Sequence, residues 1–253
     1  VEVWTLAKVK SDVTKAVSRL VTPTPRCIRC GGKKLPVVSW AGDAGQFYET
    51  VQPRKAVKGV ERAVSACAKK KGYKKDLFGV AVQRGRKRVV KLVKSKYVIV
   101  HQQKAIPAEV LGPAMKVAMW ANRVECGAQG DVILGGAAIG GPLSRGAASS
   151  VLGDNEVRRE GWKRQFHWWK RSFDQVLAMS RYVDDVLSVS TCLCKPCIEW
   201  TVNKLHAPYK LGEETLPSGE TPFVDGKWLL TWQEGSRGAL GESDQDARVV
   251  VEV

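Results

Sequence analysis

The chain has 253 residues, 44% of them apolar, which is room for one large domain or two small ones with a real core. That arithmetic excludes a disordered tail and a small disulfide-stapled secreted protein, and no apolar stretch approaches the roughly 18 residues of a membrane helix. Its 41 Lys and Arg against 25 Asp and Glu leave a net charge of +16, which points to polyanions as partners, either nucleic acid or an anionic membrane surface. The first ten residues lack the charged start and apolar stretch of a signal peptide, and a chain beginning at Val1 reads as a fragment. Seven cysteines without an export signal read as reduced thiols in an intracellular protein.

Residues 1–36 carry little pattern: Thr22-Pro23-Thr24-Pro25 is a stiff connector, and Cys27-x-x-Cys30-Gly31-Gly32 reads as a turn. Residues 35–44 read as a strand, with the β-formers Val37, Val38 and Trp40 and an end at Gly42-Asp43. A helix begins at Pro53, with Ala56, Val57, Val60, Ala63, Val64, Cys67 and Ala68 on one face and basic residues on the other. Residues 77–82 and 89–93 form the arms of a hairpin around Arg84-Gly85-Arg86-Lys87, and residues 97–100 read as a further strand. A second helix near Pro113 sets Ala114, Val117, Ala118, Ala121 and Val124 on one face. Strand 132–134 leads into a glycine-rich loop and a helix carrying Ala147, Ala148, Val151 and Leu152.

The tract 162–171 interleaves Trp and Phe with Lys and Arg, which suits base stacking or, equally, aromatic anchors under a loop. Strands 176–181 and 186–189 then flank Tyr182-Val183-Asp184-Asp185, a short helix runs from Pro196 to Leu205, and a last strand lies around 228–232. Strands mixed with helices predict an α+β fold, an antiparallel sheet with helices packed on one face and a basic β-rich insertion at about 72–112.

Charge is uneven along this order. Residues 54–104 hold 17 basic and 2 acidic side chains, including Arg84, Arg86, Lys87 and Arg88, whereas residues 212–253 hold 3 basic and 9 acidic ones. The first segment is suited to phosphates, or is a solvated surface; the tail is not suited to them.

Two adjacent carboxylates at a hairpin turn repel unless a cation neutralises them. Asp43, at a strand end, and the Ile139-Gly140-Gly141-Pro142-Leu143-Ser144 loop precede that pair. Singly, each has a plain reading: Asp43 as a helix cap, the loop as a turn, Tyr48 as a core ring beside Phe47. Together and in order, they resemble the palm of the reverse transcriptases, polymerases that copy RNA or DNA templates into DNA. In that family an Asp is followed five positions later by an aromatic residue, as Asp43 is by Tyr48; a Q-G-G-x-x-S-P motif opens a helix; and Tyr-x-Asp-Asp comes third. Here the family's Gln and final Pro are Ile139 and Arg145, and Phe223-Val224-Asp225 is similar to its primer-contacting hairpin.

The resemblance implies a palm over 37–210, a truncated fingers or connector segment over 1–36, and an acidic 211–253 related to the primer grip or thumb. It implies RNA or DNA template with primer and deoxynucleoside triphosphates as partners, with no membrane. Asp43 and Asp184 would bridge two Mg²⁺ ions, Asp185 would be the less direct third acid, and the Ala44 carbonyl would serve the nucleotide metal. Tyr48 would lie under the sugar and select deoxynucleotides, and Gly140 and Gly141 would let backbone approach the nascent pair. Two non-enzymatic readings stand beside it: a degenerate palm without catalysis, and a basic nucleic-acid-binding module.

The cysteines add a second cluster. Cys27 and Cys30 precede the first motif strand, and Cys192, Cys194 and Cys197 follow the last. Antiparallel strands would bring both groups to the end of the palm away from the acids, where four thiolates suit a structural Zn²⁺; free thiols are the alternative. His101, His167 and His206 show no ligand spacing.

Overall fold

The computed structural model describes residues 6–45, 47–70, 72, 77–84, 87–94, 105–120, 123–125, 127, 131–133, 136–137, 143–158, 172–214, 220–224, 226–233 and 248–252. The fold is α+β, with antiparallel sheets throughout the described residues. None of its described helices is long and apolar enough to cross a membrane. The chain divides into two compact units, one within Gln46–Asp154 and the other built from Trp4–Gly45 together with Asn155–Val253.

The second unit carries helix α1 (Leu6–Val17) and strand β1 (Val38–Asp43) from the first of these segments. Helix α1 stands where the sequence shows little pattern. Its buried residues Val9, Val13 and Val17 recur every four positions and make one apolar stripe.

The first unit begins with a single turn α2 (Phe47–Thr50) and the helix α3 (Pro53–Lys70). Of the expected apolar face, Ala56 is buried and Val57, Val60, Val64 and Ala68 are half-buried, but Ala63 and Cys67 are exposed. The hairpin β2 (Leu77–Arg84) and β3 (Lys87–Lys94) pairs in register from Leu77↔Lys94 to Arg84↔Lys87, its arms two and three residues longer than their sequence suggests. Strand β4 (Ala105–Pro107) pairs with the other edge of β2. Helix α4 (Leu111–Trp120) buries Gly112, Met115 and Met119, not the expected face; Val117 is 67% exposed, and Val124 belongs to a strand. Strands β5 (Arg123–Glu125) and β6 (Asp131–Ile133) form a small ladder. Helix α5 (Ser144–Arg158) buries Ala147, Ala148, Val151 and Leu152 as its periodicity requires, and Asp154 takes a two-pronged contact from Arg62 Nη1 at 2.7 and 2.8 Å. The expected strand at 97–100, the loop at 139–142 and the aromatic tract at 162–171 lie outside the described residues.

The second unit resumes with a turn of helix α6 (Phe173–Val176), strands β7 (Ala178–Tyr182) and β8 (Asp185–Ser190), helix α7 (Lys195–His206) and β9 (Gly212–Glu214). Its sheet has the order β7-β8-β1-β9, all antiparallel. A second sheet joins β10 (Thr221–Phe223), β11 (Gly226–Gln233) and β12 (Arg248–Glu252). The expected hairpin at Phe223-Val224 is there, closed by the pair Phe223↔Gly226, while Asp225 lies outside the described residues.

Alternation along β1 and β8 divides their side chains between two faces. One face, with Val37, Leu187 and Val189, joins Val9, Val13, Val17, Phe223, Trp228 and Val249 in a single core. The other presents Trp40, and α7 packs against β1 and β8 with Ile198, Val202 and Leu205 buried.

Gly42, one residue before Asp43, has no room for a side chain. A Cβ there would collide with the Trp40 ring and sit 2.8 Å from the Gly212 carbonyl of β9. Gly42→Ala is expected to cost about 1–3 kcal/mol of stability by overpacking, read as a lower urea midpoint with an unchanged slope; an unaltered midpoint would mean that β9 yields freely.

Candidate metal centre

Strand β1 ends at Asp43, and the β7–β8 hairpin turns through Val183 and Asp184, closed by the pair Tyr182↔Asp185. The β1–β8 register runs from Val38↔Ser190 to Gly42↔Val186, and one further step sets Asp43 against Asp185. The three acids are therefore brought together by strand pairing across 141 residues of sequence. One carboxylate oxygen from each of Asp43, Asp184 and Asp185 lies within 4.8 Å of the other two. Each such pair of charges, if ionised, would repel by about 3 kcal/mol at an effective dielectric of about 20, a repulsion that a shared cation would relieve. Asp43 Oδ1 is buried and has no hydrogen-bond partner, an oxygen left over for a metal. Carboxylate oxygens are the donors that hard divalent ions such as Mg²⁺ prefer, and the set fits.

The turn is held from behind. Val183 has φ 57°, a left-handed conformation that a β-branched residue rarely adopts. Arg181 Nη1 donates to the Val183 carbonyl at 2.7 Å, fixing the peptide that leads into Asp184. The same guanidinium donates from Nε to Glu156 Oε1 at 2.7 Å and from Nη2 to Oε2 at 3.4 Å. His206, fully buried at the end of α7, sets Nε2 3.0 Å from Glu156 Oε1 and Nδ1 3.0 Å from the Val202 carbonyl. Burial opposes the charge on Glu156, but the His206 hydrogen bond and the Arg181 guanidinium outweigh it and hold its carboxyl down to about 2.

Ala44 is buried directly after β1. Tyr48 lies in α2, half-buried, with its ring edge-on to Phe47 at 6.3 Å and its carbonyl accepting from Ala137 N at 2.6 Å. Gly140, Gly141 and Arg86 lie outside the described residues; the backbones of Arg84, Lys87 and Arg88 sit at the hairpin end of β2 and β3.

A second donor set is formed by Cys27, Cys30, Cys194 and Cys197, whose four sulfurs all lie within 4.8 Å of one another. Cys192 is not among them. Ser190 Oγ accepts from the Cys192 and Leu193 amides at 3.0 and 2.9 Å, and this tight turn leaves Cys192 fully buried. Burial opposes ionisation of Cys27, yet hydrogen bonds from the backbone at Cys30, Cys194 and Arg29 bring its thiol down to about 6. Burial and the neighbouring sulfurs push Cys197 up.

No protein-family model matches the chain, and no curated protein matches it. Among solved structures it is similar to telomerase from Candida tropicalis, determined in complex with a TWJ fragment of telomeric RNA. The identity is 13%, the TM-score 0.48, and the likeness covers 88% of this chain. The chain spans about a third of that protein, 32% of its length.

From sequence alone, Arg181, Glu156 and His206 have no role. Arg181 has one local signal, its place two residues before the turn; Glu156 and His206 have none.

Glu156 is ionised more easily in the folded chain than in the unfolded one, whose carboxyl titrates near about 4.3. Its contribution is thus complete above about pH 5 and is lost as pH falls toward 2. The stability gap between wild type and Glu156→Gln is expected to be widest near neutrality and to close over that window. Urea melts at several pH values check this, and a gap independent of pH would contradict it.

Proposed function

We propose that this chain is the catalytic palm region of an RNA-directed DNA polymerase. Its nucleotidyl transfer would add deoxynucleotides to a primer paired with an RNA or DNA template. The observation that carries the reading is the meeting of Asp43, Asp184 and Asp185 at one sheet end, in the motif order of the reverse transcriptases. On this reading 37–210 is the palm, 72–112 its basic insertion, 1–36 a connector or fingers remnant, and 211–253 a primer-grip segment.

Asp43 and Asp184 would hold two Mg²⁺ ions between them, with Asp185 as the third acid and the Ala44 carbonyl facing the nucleotide. When bound, such a pair stabilises the attacking 3′ oxygen and the leaving oxygen of an in-line displacement at phosphorus. The protein's part is placement. Strand register aligns Asp43 with the hairpin, and the Arg181 contact to Val183 keeps Asp184 from swinging away. Tyr48 would sit beneath the sugar, where a ring leaves no room for a 2′ hydroxyl. Gly140 and Gly141 would admit backbone close to the new base pair. The segment with Arg84, Arg86, Lys87 and Arg88 would run along the duplex phosphates. The thiolate set differs in donor chemistry and would take a structural Zn²⁺ rather than Mg²⁺.

Primer extension tests the reading directly. Wild-type protein is expected to extend a primed template with Mg²⁺ and deoxynucleotides, and Asp184→Ala to fall to background while remaining folded. Wild-type protein that extends no primer on either template would overturn the enzyme reading. Tyr48→Ala is expected to admit ribonucleotides; equal discrimination by both proteins would place the sugar gate elsewhere. Replacing Arg84, Arg86, Lys87 and Arg88 by Ala is expected to weaken duplex binding and flatten its salt dependence, by about 0.9 log unit per log unit of salt for each phosphate that is no longer neutralised. Asp184→Ala should leave that slope nearly unchanged.

A further inference from the structure

The four cysteines come from two pieces of backbone with the local shapes of metal-binding turns. Residues 26–33 form a tight loop closed by a bridge between Arg26 and Lys33. Within it Cys27 N donates to the Gly32 carbonyl and Gly31 N to the Cys27 carbonyl, both at 2.8 Å. Gly31 takes φ +74°, a left-handed turn that frees the loop to double back. This sets Cys27 and Cys30 toward one point. The other pair sits on the first turn of the 12-residue helix α7: Cys194 is its N-cap and Cys197 N donates to the Cys194 carbonyl at 3.0 Å.

The sulfur geometry selects the chemistry. Cys30 Sγ and Cys194 Sγ lie 3.5 Å apart, far beyond the roughly 2.05 Å of a disulfide. Tetrahedral zinc with bonds of about 2.3 Å sets its sulfurs a little under 4 Å apart. A tetrathiolate zinc carries a charge of −2, and cations stand ready to offset it. Arg29 Nη1 lies 3.5 Å from Cys197 Sγ, with its guanidinium stacked 3.6 Å over the Trp200 ring. Lys34 is within electrostatic reach of Cys192, Cys27 and Cys194.

Position then gives the cluster a purpose. Cys27 and Cys30 lie just before β1, and Cys194 and Cys197 just after β8. Because β1 and β8 are antiparallel, the sulfurs gather at one end of the pair and Asp43 and Asp185 at the other, roughly 16 Å of strand away. Two backbone bonds already connect the flanking segments there, Ile28 N to the Cys192 carbonyl and Thr24 N to the Thr191 carbonyl, each 3.0 Å.

We propose that Cys27, Cys30, Cys194 and Cys197 bind one zinc ion that staples the far ends of β1 and β8, and so keeps Asp43 aligned with Asp184 and Asp185. The staple stands on the cysteine geometry alone; its benefit to catalysis rests on the polymerase reading. Each thiol still protonated gives up its proton to solvent as its sulfur joins the metal.

The full chain, purified without chelator, is expected to contain about one zinc, and Cys30→Ser and Cys194→Ser each to lose it. These two are chosen because their thiols are the less buried ones. Cobalt in place of zinc should give the absorption of a tetrahedral thiolate site, independent of how the variants fold. Stripping zinc from wild type should speed amide hydrogen exchange in 38–43 and 185–190 by about tenfold, as local opening would, while 226–233 and 248–252 stay protected. Protein without zinc, with iron instead, or with these thiols oxidised to disulfides overturns the proposal. So does bound zinc whose removal leaves exchange unchanged, or speeds it equally in every strand. Primer extension is measured separately: a chain inactive in extension that still shows zinc-dependent protection fails the polymerase reading alone.

Discussion

The pairing of β1 with β8 is the constraint on which the second unit depends. Five residue pairs, from Val38↔Ser190 to Gly42↔Val186, fix which side chains look to which face. A slip of one residue would turn Asp43 to the face that holds Trp40 and bring Val37 out of the valine-rich core. Both faces resist the slip. On one, Val9, Val13 and Val17 pack with Leu187, Val189, Phe223 and Trp228; on the other, α7 buries Ile198, Val202 and Leu205. The acids are thus placed by apolar packing, and their mutual repulsion works against a structure that is already determined.

Around this pairing the polar groups fall into two sets of opposite character. At the acid end, oxygen donors crowd together beside the hairpin brace. Arg181 serves the strained Val183 carbonyl and the Glu156 carboxylate at once, so a single guanidinium ties the turn to Glu156 and, through His206, to the end of α7. At the thiol end, soft donors sit beside Arg29 and Lys34. Hard and soft donors stand at opposite ends of one strand pair, and the two sets suit different classes of metal.

Much of this was legible in the sequence. Trp40 and Val38 mark β1 by β-propensity, the Tyr182–Asp185 turn marks the β7–β8 hairpin, and Ala147, Ala148, Val151 and Leu152 mark α5 by periodicity, because each signal is carried by residues close together in sequence. The Cys-x-x-Cys spacings gave both halves of the thiol set but not the exclusion of Cys192, which depends on how Ser190 closes its turn. Helix α1 was faint because its stripe is only three valines, residues of modest helix propensity that tertiary packing must hold. Helix α4 is apolar nearly all round, so periodicity had no means to prefer Met115 and Met119 over Val117. The brace was invisible because Glu156, Arg181 and His206 come from three separate elements, and polar contacts between distant elements leave no period.

The order of these segments also governs how the unit can be made. Strand β1 lies at the centre of its sheet, between β8 and β9, yet it is synthesised long before either. Its partner β8 begins at Asp185, some 140 residues later. At about 5–20 residues per second, that gap is roughly 7 to 28 s of translation. Through that interval Trp40 and Ala41, which end up fully covered, have neither strand neighbour, while the whole first unit is being built between them and their partners. Through that interval the nascent chain carries an open strand edge, the state in which chaperones bind and in which two chains on one message are most apt to pair with each other.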